Sequence, residues 1–329
     1  MNKDIYFFWY GSISDTRLDV LKTCIFSTKM HNQDRNVILY TDSINKEMLG
    51  SKYDIELRQV DMSMFNDTPL NIDIIKSNYC DDINGKLCLK CHPREFSDLF
   101  RIVLLYKFGG SYVDTDDACL RPIGNTKNIV ARCCDPHTCH YSNISHDRLM
   151  PAKYREIDGY DLPMFIRNDC WLNWEPKSAF LHDLLTDQRL NNADRALYIG
   201  DDFSFQSLAL DICNKHLFKI GDNFNLRMSL LHLYEGHIGV SSYYDRGHFG
   251  GEIHDIWNKL PDIDKHEWSR YKCTKDVAIG FINEVLSIYP DTCFLYLQDK
   301  DMIPAYFDDT DEHMQLMSTH IYKHIKSLI

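Results

Sequence analysis

Residues Phe96 to Asp116 read FSDLFRIVLLYKFGGSYVDTD, and the order of signals in this stretch decides the fold. Phe96, Leu99, Val103 and Tyr106 recur at helical spacing as one apolar stripe, which predicts a helix over Arg94–Lys107. Pro93 suits the start of that helix, where no N–H is needed, and Gly109-Gly110 stops it. Ser111–Asp116 then mixes β-branched and aromatic residues and reads as a strand. Strand alternation places Tyr112, Asp114 and Asp116 on one side and Val113 and Thr115 on the other, so both outer aspartates face the same way.

Upstream, Ile5–Tyr10 is a short apolar run closed by Gly11-Ser12, followed by a helical stretch over Arg17–Met30 and a second apolar run, Asn36–Thr41. Strand, helix, strand indicates an α/β fold with a parallel sheet. Asp61–Lys90 is irregular and rich in Asp and Asn, and is expected to cover the sheet rather than join it. Downstream, Phe165–Trp174 lies in a mixed region, and helices are expected over Ser178–Asp187, Asp202–Asn214, Asp276–Ile288 and Glu312–Ile329. With no internal repeat and no low-complexity linker, one continuous domain over 1–329 is expected.

A chain of 329 residues with 44% hydrophobic and 26% charged residues buries a sizeable core and does not have the composition of a disordered protein. Its net charge of -12 repels nucleic acid and anionic membrane surfaces, which excludes a nucleic-acid partner. A nucleotide is still compatible, because a divalent cation and a few local basic groups neutralise a diphosphate. Ile5–Tyr10 is too short for a signal peptide, and no apolar stretch approaches the ~18 residues of a membrane span. The twelve cysteines, mostly scattered, then read as reduced thiols in the cytoplasm. Cys80, Cys88, Cys91 and His92, and Cys133, Cys134, Cys139 and His140, are the only groupings with zinc-ligand chemistry, and neither has finger spacing.

A strand ending in two carboxylates on one face delivers hard oxygen ligands at the carboxyl edge of a parallel sheet, where open α/β folds bind ligands. Such ligands suit Mn²⁺ or Mg²⁺, which complete their shells with phosphate oxygens and water. Asp-x-Asp also occurs at Asp262–Asp264, Asp299–Asp301 and Asp309–Asp311, so the tripeptide alone decides nothing. The context of Asp114-Thr115-Asp116 does: Arg94, Asp98 and Arg101 share one face of the preceding helix at i, i+4 and i+7, ahead of the diglycine.

The whole segment resembles the sugar-binding region of the DXD-containing glycosyltransferases, the group of the initiating mannosyltransferases and, more distantly, the glucosylating toxin domains. IYFFWYGS looks like the family's first strand, NVILYTD its second, and FIRNDCWLNWEPKSAFLHDLL its later Asn-containing strand and helix. The resemblance implies a GT-A-like fold, a Rossmann-type mixed sheet flanked by helices with further C-terminal helices. Residues 1–125 would form the nucleotide-sugar half and 126–329 the acceptor side and C-terminal helical part. It also implies a hexosyltransferase using a UDP- or GDP-sugar, a divalent metal, and a glycan or protein acceptor.

By the same resemblance, Asp116 would bind metal and donor diphosphate, and Asp114 the ribose or sugar and the metal. Asp98 and Arg101 would hold the transferred sugar, and Trp9 would lie beside the base. Tyr10, Gly110, Tyr112 and Thr115 complete the donor surroundings. Where the family has Gly-Pro on its acceptor side, this chain has Gly200-Asp201, so Asp201 and Asp202 are either catalytic carboxylates or helix caps. GHFGGEIHDIW departs from the family's closing motif, leaving His254 as the metal ligand and Trp257 as the donor contact.

Family members retain anomeric configuration, with the departing phosphate taking the acceptor's proton. Inversion would instead need a base, for which Asp201 or Asp202 is the first suspect. No GxGxxG follows the first strand, and GxxxxGK[ST], GxSxG and HExxH are absent, which disfavours dehydrogenase, kinase and common hydrolase readings. Two alternatives stay open: a nucleotide-sugar hydrolase, which needs no acceptor, and an inactive glycan- or nucleotide-binding protein on the same scaffold.

Overall fold

The computed structural model describes residues 2–84, 86–125, 127–133, 165–187, 190, 232–234, 237–239, 259–260, 272–288, 293–297 and 315–329. It begins with β1 (Ile5–Trp9), α1 (Asp15–His31) and β2 (Val37–Thr41), followed by the short helix α2 (Lys46–Leu49) and β3 (Glu56–Arg58). A 3-10 turn (Met62–Phe65), α3 (Ile72–Asn78) and the hairpin β4 (Cys80–Ile83) and β5 (Lys86–Leu89) lead into α4 (Pro93–Phe108). Then come β6 (Gly110–Val113), β7 (Asp117–Cys119), β8 (Ile129–Cys133), β9 (Phe165–Trp174), α5 (Ala179–Thr186), β10 (His232–Tyr234) and β11 (His237–Gly239). The C-terminal layer is β12 (Lys272–Cys273), α6 (Lys275–Ile288), β13 (Phe294–Tyr296), β14 (Gln315–Leu316) and α7 (Met317–Leu328).

Among the described residues, seven strands form the main sheet in the order β10-β8-β9-β6-β1-β2-β3. β1 runs parallel to β2 and to β6, and β3 and β10 are also parallel to their neighbours; only β9 is antiparallel, to β6 and β8. The result is the expected α/β mixed sheet flanked by helices. A separate three-stranded sheet has the order β11-β13-β7.

Alternation along β1 and β2 buries both faces. Ile5, Phe7, Val37 and Leu39 pack with α1, whereas Tyr6, Phe8, Ile38 and Tyr40 pack with α4. Helix α1 starts at Ser14, whose hydroxyl accepts from the Arg17 N–H, and α4 starts at Pro93 with the His92 ring accepting from the Arg94 N–H.

The sequence predicted a single apolar stripe on α4, but Phe100, Ile102, Leu104 and Leu105 are buried as well. The reason lies in the segment 61–90, which is more ordered than its composition indicates. Met64, Phe65, Leu70, Ile75 and Tyr79 lay a second wall over the helix, outside the main sheet. Helix α7 likewise begins at Met317 rather than near Glu312, because Gln315 and Leu316 pair with Lys272 and Cys273. Its Tyr322 hydroxyl donates to Asp19 of α1 at 2.6 Å, and Lys326 pairs with the same carboxylate.

Gly109 and Gly110 join α4 to β6 with φ of 69° and 93°. A Cβ on Gly110 would sit 2.6 Å from the Asp4 carbonyl oxygen, and one on Gly109 would sit 2.7 Å from that of Trp174. Conformation and space both demand glycine here. Gly110→Ala is expected to cost about 2–4 kcal/mol, combining left-handed strain with overpacking against backbone. A thermal melt reads the loss, and an unshifted melt would contradict this account of the joint.

Candidate active site around Asp98, Arg101 and Asp114

Arg101 is charged yet only 2% exposed, sunk between α4 and the sheet. One Nη2 reaches Asp98 at 2.8 Å, Asp114 at 3.2 Å and the Ser97 hydroxyl at 3.2 Å, while Nε donates to the Ser97 carbonyl at 3.3 Å. The guanidinium also lies over the Tyr112 ring, 4.8 Å from its centre. Asp98 and Asp114 are about a quarter exposed, at 24% and 27%, so the cation is roofed by two carboxylates that still meet solvent. The arginine neutralises their mutual repulsion and supplies hydrogen bonds that a lysine's point charge would not.

Tyr112 is on the α4 side of β6, fully buried, with its hydroxyl 2.8 Å from that of Ser97. Burial, and next the charge of Asp114, push its phenol well above its ordinary range, so it remains a donor at any working pH.

The strand expected through Asp116 stops at Val113. Asp114–Asp116 is a turn, closed where the Asp114 carbonyl accepts from the Asp117 N–H at 3.2 Å. The Asp116 carbonyl accepts from the Leu297 N–H at 2.8 Å, and β7 beyond it pairs antiparallel with β13. Long-range pairing with the C-terminal layer thus ends the strand early. Asp114, Thr115 and Asp116 are all half-buried, at the carboxyl edge shared by the parallel strands β1, β2 and β6.

Residues 19–134 match the family model described as the glycosyltransferase sugar-binding region containing DXD motif. The chain carries a DXD glycosyltransferase region. That region runs from within α1 to the end of β8 and contains the whole Asp98–Arg101–Asp114 cluster. No curated protein matches the chain significantly. Among solved structures, the PaToxG glycosyltransferase is 16% identical, with 70% of this chain and 78% of that one covered at a TM-score of 0.42. Mouse xyloside xylosyltransferase 1 in its apo form is 10% identical, with coverage of 74% and 89% and a TM-score of 0.43. The galactosyltransferase LgtC in complex with donor and acceptor sugar analogs is 12% identical, with coverage of 63% and 68% and a TM-score of 0.28. Likeness this distant is no guide to donor or acceptor.

Around the DXD region, the other expected contacts divide. Trp9 ends β1, with Tyr10 next in the chain, at the same carboxyl edge as Asp114 and Asp116. Trp9 is half-exposed and its indole N–H donates to the Gly11 carbonyl at 2.9 Å, while the Gly11 N–H donates to Asp42 at 2.8 Å. The Tyr10 hydroxyl donates to the Leu87 carbonyl of β5 at 3.2 Å, so its ring faces the hairpin. Gly110 corrects the expectation: it is buried at the opposite end of β6 against Asp4 and Tyr6, and its part is the helix-to-strand joint rather than donor contact.

Asp201, Asp202, His254 and Trp257 lie outside the described residues, as does the second cysteine and histidine grouping beyond Cys133. In the first grouping, His92 spends Nδ1 on capping α4. Among the described residues, no three His, Cys, Asp or Glu side chains cluster as a metal site, and no helix is long and apolar enough to cross a membrane. Sequence reasoning placed Ser97 only as part of a motif. Its link to Tyr112 depends on a fifteen-residue separation that the helix, the diglycine and the strand together close.

Proposed function

We propose that the chain transfers a hexose, with retention, from a UDP- or GDP-sugar to a hydroxyl of a glycan or protein acceptor, and that it needs a divalent metal. The observation that carries this reading is Arg101, buried beneath Asp98 and Asp114 inside the DXD region, with Asp116 two residues on at the edge of the sheet. Sugar hydroxyls are recognised by ionised carboxylates, and a buried guanidinium keeps such carboxylates ionised. Because Arg101 is sealed from solvent, it acts through Asp98 and Asp114, one step behind the direct sugar contact expected from the sequence.

Asp114 and Asp116 offer hard carboxylate oxygens in a half-exposed turn, which fits Mn²⁺ or Mg²⁺, with His254 as a further ligand. Such an ion, when bound, neutralises charge on the departing diphosphate. The acceptor proton passes to that phosphate, so retention requires no protein base. Residues 1–125 would hold the donor and 126–329 the acceptor, in a cytoplasmic enzyme whose cysteines stay reduced.

The test is turnover of UDP- and GDP-sugars with and without Mn²⁺, with the sugar followed to free hexose or to a glycan acceptor. Metal-dependent consumption of one donor class is expected, faster when an acceptor is present. Hydrolysis indifferent to every acceptor supports the hydrolase alternative, and no consumption at all supports the inactive scaffold.

Trp9 gives a separate expectation. If its half-exposed indole stacks on the base, Trp9→Ala raises the nucleotide Kd about tenfold, within the ~1–3 kcal/mol typical of base stacking, and Trp9→Phe restores most of it. Calorimetry checks this, and an unchanged Kd removes Trp9 from the site.

A further inference from the structure

The turn after β1 is gripped from the end of β2. Trp9 and Thr41 are partners across this parallel pair, so Gly11 and Ser43, each two residues on, leave the sheet together. Gly11 has a φ of 88°, a left-handed conformation that favours glycine. Its carbonyl accepts from the Trp9 indole N–H at 2.9 Å and from the Ser43 hydroxyl at 2.6 Å, one donor for each lone pair. Its N–H donates to the Asp42 carboxylate at 2.8 Å. Asp42 and Ser43 are set in turn by Thr41, whose buried hydroxyl accepts from the Ser43 N–H at 3.2 Å and the Ile44 N–H at 3.1 Å. Both backbone polar groups of Gly11 are thus held by consecutive residues of a shaped turn, and Gly11 holds the indole.

We propose that Ser43 and Asp42 are positioning residues, which fix the Trp9 indole through Gly11 so that it presents its ring face to the nucleotide base. The indole N–H is spent on Gly11, so Trp9 offers a stacking surface and no hydrogen bond, and it does not by itself choose between uracil and guanine. A ring whose tilt is set before binding loses less freedom when the base arrives, and that saving appears as affinity. That the platform serves a nucleotide rests on the glycosyltransferase reading above; the clamp itself does not.

Ser43→Ala deletes the hydroxyl donor and Ser43→Thr keeps it. Asp42→Ala deletes the acceptor of the Gly11 N–H and Asp42→Asn keeps one. Calorimetry with UDP and with GDP, in the presence of Mn²⁺, reads the result. For the nucleotide that wild type binds, Ser43→Ala and Asp42→Ala are each expected to raise Kd about fivefold, the scale of one net hydrogen bond, with Ser43→Thr and Asp42→Asn within about twofold of wild type. On top of Trp9→Ala, neither alanine substitution should weaken binding further, because residues that act through Trp9 then have nothing to position. A loss that persists undiminished in Trp9→Ala overturns the proposal, since Ser43 or Asp42 would then touch the ligand directly. Wild-type affinity in both Ser43→Ala and Asp42→Ala overturns it as well.

A second measurement needs no nucleotide. In ¹⁵N-labelled protein, the Trp9 indole N–H signal, assigned by its absence from Trp9→Phe, should exchange with water several-fold faster in Ser43→Ala and Asp42→Ala than in wild type, Ser43→Thr or Asp42→Asn. Unchanged exchange refutes the clamp. Faster exchange in a protein that binds neither nucleotide refutes the glycosyltransferase reading and leaves the clamp in place.

Discussion

Arg101→Met is expected to lower donor turnover, as kcat/KM, by about two orders of magnitude, the scale on which a small misplacement of positioning groups such as Asp98 and Asp114 costs rate. Methionine fills much of the same volume, so what is lost is the charge and its hydrogen bonds to Asp98, Asp114 and Ser97. Asp98 and Asp114 then lose the cation that they share. A fully buried pair broken this way costs ~3–5 kcal/mol, but both carboxylates are partly hydrated, so about 2 kcal/mol of stability is the reasonable figure. Arg101→Lys should fall between the two, since one ammonium cannot serve Asp98, Asp114 and the Ser97 carbonyl in the same planar arrangement. Steady-state kinetics alongside thermal melts separate these effects. Near-wild-type kcat/KM in Arg101→Met would mean that the buried cluster serves only the fold.

Asp116→Asn should leave stability nearly unchanged and cost activity still more. Asp116 is half-buried in a turn whose hold on the C-terminal layer runs through its backbone carbonyl, which asparagine retains. The melt should therefore move by no more than a ~0.5 kcal/mol change implies. Turnover at fixed Mn²⁺ should fall by about three orders of magnitude, as removal of several kcal/mol of metal-borne charge stabilisation requires. Asp262→Asn, in another Asp-x-Asp tripeptide outside the DXD region, should have no such effect. Equal losses in the two variants would show that the helix, diglycine and strand before Asp114 do not select the site.

Local chemistry made much of this molecule readable from its sequence. Pro93 and the diglycine bound α4 to within a residue or two, and the apolar runs of β1 and β2 are continuous because both faces of the sheet are covered. What was hidden depends on distant partners. The strand before Asp114 ends early because Leu297, nearly two hundred residues away, bonds to the Asp116 carbonyl, and nothing in the SYVDTD segment announces that bond.

The ten-residue β9 is another such case. Among the described residues it is the one antiparallel strand of the main sheet, and its role follows from pairing with β6 and β8 rather than from its own pattern. Arg101 could be placed on the right helical face from spacing alone. Its burial could not, because that depends on Tyr112 beneath it and on the 61–90 wall that thickens the core around α4. Gly110 shows the converse error: its place beside the site in sequence put it near the donor, whereas the strand carries it to the far edge of the sheet.

The central claim, that Asp114 and Asp116 form a metal-dependent nucleotide site, is tested most directly by calorimetric titration of UDP and of GDP, with and without Mn²⁺, into wild type and Asp116→Asn. The account predicts that one of the two nucleotides binds wild type only when Mn²⁺ is present, and that Asp116→Asn weakens that binding at least about tenfold, or ~1.4 kcal/mol. Binding indifferent to both Mn²⁺ and Asp116, or no binding of either nucleotide with Mn²⁺ present, would contradict it.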